Sequence, residues 1–245
     1  MKYLLTPLCA LLAATLALPA QDAAAILKGI DRNLSADTRI IEYSMVVHGK
    51  RNDRTLTAKS YTAGAGKSYT EYFSPARERG TKMLKIDKEM WIYAPSTDRT
   101  IMISGHMLRQ SMMGSDLSYE DMMEDRPFEE LYAATVLGSE TIDGRDCWQL
   151  SLKAKTDDLA YPSQKIWVDK QRGVPLQQEL YAKSGQLLKK VNLSEITQVE
   201  GRWFPMKMLY KDVLKEGDGT VWAISSISFN KAVPEHIFSK ANLKK

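Results

Sequence analysis

The 245-residue chain is 44% hydrophobic, 26% charged and 9% aromatic, values of an ordinary globular protein that exclude disordered and fibrous classes. Its formal charge of +4 is small for this length and its basic residues are spread out, which excludes capture of nucleic acid by charge alone. The length suits one large β domain or two small ones, and a single domain is the starting point, since all-β domains often reach about 200–250 residues.

The chain opens as a secretory signal does. Lys2 and the amino terminus supply positive charge, an apolar stretch runs from Leu8 to Leu18, and Pro19-Ala20 precedes the polar Gln21-Asp22. The apolar run is shorter than the roughly 20 residues a membrane span needs. Residues 1–20 are therefore read as an export signal, cleaved after Ala20 or within Ala23–Ala25, and residues 21–245 as one domain. Cys9 sits before most of the apolar run and follows a bulky leucine, so it leaves with the signal and is no lipid anchor. Cys147 then remains alone, without a disulfide partner, and its alternating apolar setting makes it core.

Asp22 is placed to cap a helix reaching Leu34, with Ile26, Leu27, Ile30 and Leu34 on one stripe. From residue 38 the apolar period becomes two. Strands are expected through Ile41–Met45, up to Thr62, and at Tyr69–Phe73, Lys82–Ile86, Met90–Tyr93 and Thr100–Ile103. A second set is expected at Cys147–Lys155, Gln164–Asp169, Pro175–Ala182, Leu187–Val199, Trp203–Lys211 and Thr220–Phe229. The joints carry turn residues, among them Arg172-Gly173, Ser184-Gly185 and Glu200-Gly201. A helical turn after Pro234 closes the chain. The pattern describes a strongly curved antiparallel sheet, mainly β with a few helices.

Residues 104–134 interrupt this pattern. Ser118 and Asp121 are spaced as a capping box for a short helix, and Phe128–Tyr132 suggests another helical turn after Pro127. Such an insert on a meander is a natural lid or plug. Six of the 12 methionines lie between Met102 and Met123. Thioethers together with His106 would suit a soft metal, but Met112-Met113 and Met122-Met123 direct neighbours to different faces, so no metal is assigned. Adaptable apolar lining and plain core both remain open for them. Asp116, Glu120, Asp121, Glu124 and Asp125 lack calcium-loop spacing and suit a helix start.

Nucleophile-elbow, phosphate-loop and zinc-helix signatures are missing, and His48, His106 and His236 are far apart. A binding protein without cofactor is expected, not an enzyme.

The run Met113-Gly114-Ser115-Asp116-Leu117-Ser118-Tyr119-Glu120-Asp121 resembles the signature of the bacterial outer-membrane lipoprotein-sorting, or LolA-like, family. Gly80–Leu84, Met90–Pro95, Lys165–Asp169 and Gly201–Pro205 follow in that family's order. Leu117 stands where an aromatic residue is more usual, and the best-studied carrier's functional arginine has no counterpart. The resemblance implies an incomplete, half-open antiparallel β-barrel wrapped around a helical lid or plug. It implies a periplasmic carrier in a Gram-negative cell, taking lipid or lipoprotein acyl chains towards the outer membrane. Its partners would be an inner-membrane transporter and an outer-membrane acceptor. The alternative is a periplasmic lipoprotein or lipid sensor that regulates an envelope-stress or transport partner. The motif residues Gly114, Ser115, Asp116, Ser118, Tyr119, Glu120 and Asp121 then belong to the lid. The expected lid lining is Met107, Met112, Met113, Met122 and Phe128, over a sheet wall of Trp91, Tyr93 and Met102.

Overall fold

A computed structural model describes residues 22–49 and 52–245; the expected signal, residues 1–20, and Cys9 lie outside the described residues. Helix α1 (Ala23–Leu34) starts where the Asp22 carboxylate accepts the Ala24 N–H at 2.9 Å, the cap its sequence announces. It buries Ile26, Leu27 and Ile30.

The chain then runs through β1 (Thr38–Val47), β2 (Arg54–Ala63), β3 (Lys67–Ser74), β4 (Lys82–Ile86), β5 (Glu89–Ala94) and β6 (Arg99–Ile103). After a connecting segment come β7 (Tyr132–Ile142), β8 (Arg145–Ala154), β9 (Ser163–Asp169) and β10 (Pro175–Tyr181). The last strands are β11 (Leu187–Val199), β12 (Arg202–Asp212) and β13 (Thr220–Phe229). All 13 form one antiparallel sheet in the order β6-β5-β4-β3-β2-β1-β13-β12-β11-β10-β9-β8-β7. Two meanders are thus joined by the β1–β13 pair, and the sheet stays open as a half-barrel.

The sheet order decides where the insert goes. Strands β6 and β7 are consecutive in sequence, yet they form the two opposite edges of the sheet. Residues 104–131 therefore have to cross the open side. They do so as three short 3-10 turns (Gly105–Arg109, Met112–Gly114, Glu120–Met122) and the single-turn helix α2 (Phe128–Leu131).

The expected insert ended at residue 134, but β7 already starts at Tyr132. That strand was not foreseen. It lies at an edge and is largely exposed, so its residues lack a period-two apolar pattern, and a register shift between Val136 and Gly138 breaks it further.

Two apolar cores fill the inner face. One gathers Tyr43, Met45, Leu56, Tyr72, Met83, Met90, Ile103 and Trp222 from the sheet around Met112 and Leu117 of the crossing segment. The other packs Ile26, Leu27 and Ile30 of α1 and Leu131 against Leu150, Leu152, Ile166 and Val168. Each fully buried side chain of this kind stabilises the fold by about 1.5–3 kcal/mol. Cys147 is fully buried beside Trp167, Val174 and Leu176, the core position its sequence suggested. No helix among the described residues is long and apolar enough to cross a membrane.

Candidate functional site

The two cores do not meet everywhere. Between them, over the middle of the sheet, lies a cavity of about 650 Å³, within the usual range for a single ligand of drug-like size. Leu180, Val191 and Tyr210, from three adjacent strands, form its floor. Leu108, Met123, Phe128 and Leu131 of the crossing segment roof it, while Leu159, Ala160 and Tyr161 close the side. Asp87, Lys88, Glu124, Arg126 and Asp158 are among its charged groups, with Arg126 tied to both Glu124 and Asp158, and Glu120, Asp121 and Lys189 also line it. The α1 side is positioned by Asp31, whose carboxylate accepts the Phe128 and Glu129 N–H groups at 2.7 and 2.9 Å and so sets Phe128 at the roof. Burial raises the pKa of this carboxylate against the opposing pull of those two N–H bonds.

The crossing segment is fastened to the sheet by three carboxylates. Asp116 accepts the Thr220 hydroxyl at 2.8 Å and the Asp212 N–H at 3.0 Å. Asp121 pairs with Lys189 and accepts the Tyr161 hydroxyl. Asp125 pairs with Lys85 at 2.7 Å and with Arg39 at 2.5 Å, and Lys85 is only 1% exposed. The acidic cluster is therefore a row of anchors with separate cationic or hydroxyl partners. No group of metal-binding side chains assembles among the described residues. Burial, followed by the charge of Asp121, pushes the Tyr161 hydroxyl pKa well up, so it stays a neutral donor.

The other motif residues shape the segment itself. Ser118 and Asp121 form the expected reciprocal cap, with N–H bonds of 2.6 and 3.3 Å, although the turn they cap is 3-10 and only three residues long. Gly114 adopts φ +73°, a left-handed conformation, and a Cβ there would press on the Arg54 guanidinium. That guanidinium donates to the Met113 carbonyl. The Ser115 hydroxyl donates to the Met112 carbonyl at 2.7 Å. Tyr119 packs against the main core, and Glu120 and Asp121 line the cavity.

The structure scatters the other expected site residues. Phe128 lines the cavity. Met112 is fully buried, with its sulfur 3.8 Å from the Tyr72 hydroxyl, and acts as a core plug; Met107, Met113 and Met122 pack partly buried against the same core.

Trp91 and Tyr93 require a correction. Both point to the opposite face, where Trp91 packs with Tyr69, Leu84, Phe238 and Leu243, and the Lys240 ammonium lies 3.9 Å from its ring. Met102 pairs with Trp91 on that face and is 43% exposed. Alternation along β5 and β6 explains it: the residues facing the crossing segment are Met90, Ile92 and Ile103.

Cavity residues that the sequence did not single out are Tyr132, Tyr161, Gln164, Gln178, Leu180, Val191 and Tyr210. The alternation in β9–β12 marked a buried face, but nothing in one strand says which neighbours leave space above it.

Residues 64–245 match the model of a family described as "Uncharacterized protein". No curated protein matches the chain. Among solved structures, a DUF1329 family protein from Desulfovibrio piger is 25% identical, with a TM-score of 0.80 over 90% of this chain and 97% of its own. An outer membrane lipoprotein-sorting protein domain from Vibrio parahaemolyticus is 23% identical, with a TM-score of 0.77 over 91% and 98%. A LolA superfamily protein from Nitrosomonas europaea is 24% identical, with a TM-score of 0.75 over 90% and 98%.

Proposed function

We propose that this chain, which belongs to the family matched over residues 64–245 and has the fold of LolA-like, lipoprotein-sorting proteins, is a periplasmic carrier of acyl chains. The single observation that carries the reading is the apolar cavity of about 650 Å³ roofed by the segment that bridges the two sheet edges. A volume of that order suits one acyl chain with part of its head group.

Physical chemistry says why a carrier is needed. Each buried methylene is worth about 0.8 kcal/mol, so a chain of roughly 16 carbons resists leaving an apolar medium by about 13 kcal/mol. Leu180, Val191, Phe128 and Leu131 offer that chain a matching surface. Residues 104–131 act as the movable element, with Met112 as the part that stays in the core and 120–131 as the part above the cavity. Cargo comes from an inner-membrane transporter and leaves to an outer-membrane acceptor.

Binding rather than catalysis is favoured by the state of the cavity's ionisable groups: Asp121, Lys189 and Tyr161 are consumed in one network. The test is native mass spectrometry with lipid extraction on protein isolated gently from the cell envelope. A bound acylated species supports the carrier. A bare protein mass that also takes up no lipid from vesicles refutes it.

A further inference from the structure

Two neutral amides interrupt the apolar wall of the cavity. Gln164 on β9 and Gln178 on β10 both line it. Gln164 stands opposite Leu180 and Gln178 opposite Ile166, so the two amides are diagonal neighbours on one face of adjacent strands.

Their hydrogen bonds are incomplete. The Tyr132 hydroxyl donates to the Tyr161 carbonyl at 3.1 Å, which leaves its lone pair to receive Gln164 Nε2–H at 2.6 Å. This chain of bonds sets the sense of the amide and leaves Gln164 Oε1 as a buried acceptor with no partner, on a residue only 8% exposed. The Gln178 side chain makes no hydrogen bond to any described residue. Gln178 is only partly buried, so the desolvation cost of an unmet polar group falls on Gln164, where an apolar residue would avoid it. Of the cations that line the cavity, Lys189 is committed to Asp121, Arg126 to Glu124 and Asp158, and Lys88 lies 3.7 Å from Asp158. The wall thus presents a buried unmet acceptor beside a donor that no described side chain takes up, and each lining cation already has a carboxylate partner.

We propose that Gln164 and Gln178 form a head-group subsite for an acyl chain linked through a neutral carboxamide. The ligand N–H donates to Gln164 Oε1, and the ligand carbonyl accepts from Gln178 Nε2. Gln164 keeps its Nε2–H bond to Tyr132 and offers the remaining Oε1 to the ligand N–H. A fatty carboxylate lacks the N–H and would bring a charge with no free cation to meet it. The inference rests on the acyl-carrier reading and names the class of cargo that the reading leaves open.

The test is displacement of a fluorescent fatty-acyl probe by lauramide and by methyl laurate, ligands of equal chain length of which only the amide donates. The wild-type protein is compared with Gln164→Met and, at the more exposed position, Gln178→Met. The expected result is that the amide-over-ester preference falls about tenfold in Gln164→Met, the equivalent of one net hydrogen bond, with methyl laurate binding unchanged, whereas Gln178→Met, which removes the donor to the carbonyl that both ligands carry, weakens both about tenfold. Circular dichroism and the unfolding midpoint establish that each variant is folded. An identical preference in the wild type and in folded Gln164→Met, or binding of both ligands unchanged in folded Gln178→Met, overturns the subsite while leaving the carrier intact. Failure of the probe and both ligands to bind the wild type overturns both. An N-lauroyl peptide and an N-lauroyl sphingoid base then identify the source of the amide, since tighter displacement by one of them assigns a polypeptide or a lipid cargo.

Discussion

The Lys85–Asp125 pair is the anchor whose loss should be felt most. Lys85 is 1% exposed and its ammonium lies 2.7 Å from the Asp125 carboxylate, which also holds Arg39 at 2.5 Å. Replacing Asp125 by Leu leaves the Lys85 charge in the interior with no counter-ion, while the more exposed Arg39 turns to water. Breaking a buried pair from one side costs about 3–5 kcal/mol, whereas replacing both partners by apolar groups is close to neutral. The single variant should therefore lose about 3 kcal/mol in urea unfolding followed by tryptophan fluorescence. The double variant Asp125→Leu/Lys85→Met should return to within about 1 kcal/mol of the wild type. The single variant should also be cleaved faster within residues 119–131 under limited proteolysis. A loss below about 1 kcal/mol, or a double variant no better than the single one, would refute the assignment of Asp125 as a buried electrostatic anchor.

Further outcomes follow from other parts of the site. Leu180 packs with Val191 and Leu193 and also lines the cavity, so Leu180→Trp should fill cavity space and cut acyl-probe affinity at least tenfold while circular dichroism shows the variant folded; normal affinity would place the ligand elsewhere. Burial, with a further push from the Asp169 charge, raises the Cys147 thiol to about 11. It should stay unlabelled by a disulfide reagent at pH 8 in the folded protein and react at once in denaturant. The contribution of that thiol to stability is present below its unfolded pKa of about 8.5 and is lost as pH rises towards about 11. Burial raises the Asp169 pKa, but the Arg145 pair and the Gln171 and Arg172 N–H bonds outweigh it, and the net shift is downward. Its stabilisation is therefore present above about pH 4 and lost on further acidification. Asp169→Asn should lower stability at neutral pH and flatten that acid limb of an unfolding-versus-pH curve.

Most of the strand pattern was legible because period-two alternation is a local property. Leu187–Val199 and Thr220–Phe229 end in the structure where the sequence places them, and the cap at Asp22 is met by an actual carboxylate-to-amide bond. Strand β7 was missed because an exposed edge strand lacks that alternation; the Asp143-Gly144 turn that joins it to β8, with φ of 47° and 74°, was the available signal. Trp91 and Tyr93 fell on the unexpected side for a related reason. Alternation shows that Trp91 and Met90 face opposite ways, but both are apolar, so one strand cannot say which looks inward. The cavity was out of reach for a different reason. It is a gap between two cores contributed by segments more than a hundred residues apart, and gaps leave no period in a sequence.

This division between apolar wall and polar contacts bears on how a carrier can both hold and release. The roughly 13 kcal/mol that keeps a chain out of water is supplied equally by a membrane and by a wall of Leu180, Val191 and Phe128, so it cannot set the direction of transfer. Direction must come from differences of a few kcal/mol, the scale of single hydrogen bonds and of buried ion pairs. The cavity region holds few such elements: the Asp121–Lys189–Tyr161 network, the Asp125 anchor and the two unmet amides. The anchors favour the closed empty state, because lifting residues 119–131 exposes them in pairs. If the cavity carries an amide-linked chain as proposed, Gln164 favours the loaded state, because the ligand donor completes the bond that its buried Oε1 lacks. A variant that weakens the anchors should therefore raise acyl affinity, and one that removes the Gln164 amide should lower it for amide-linked chains alone. Asp125→Leu, which breaks the anchor, and Gln164→Met, assayed side by side for probe binding, separate the two effects, and equal shifts for every ligand in both would show that apolar burial alone governs loading.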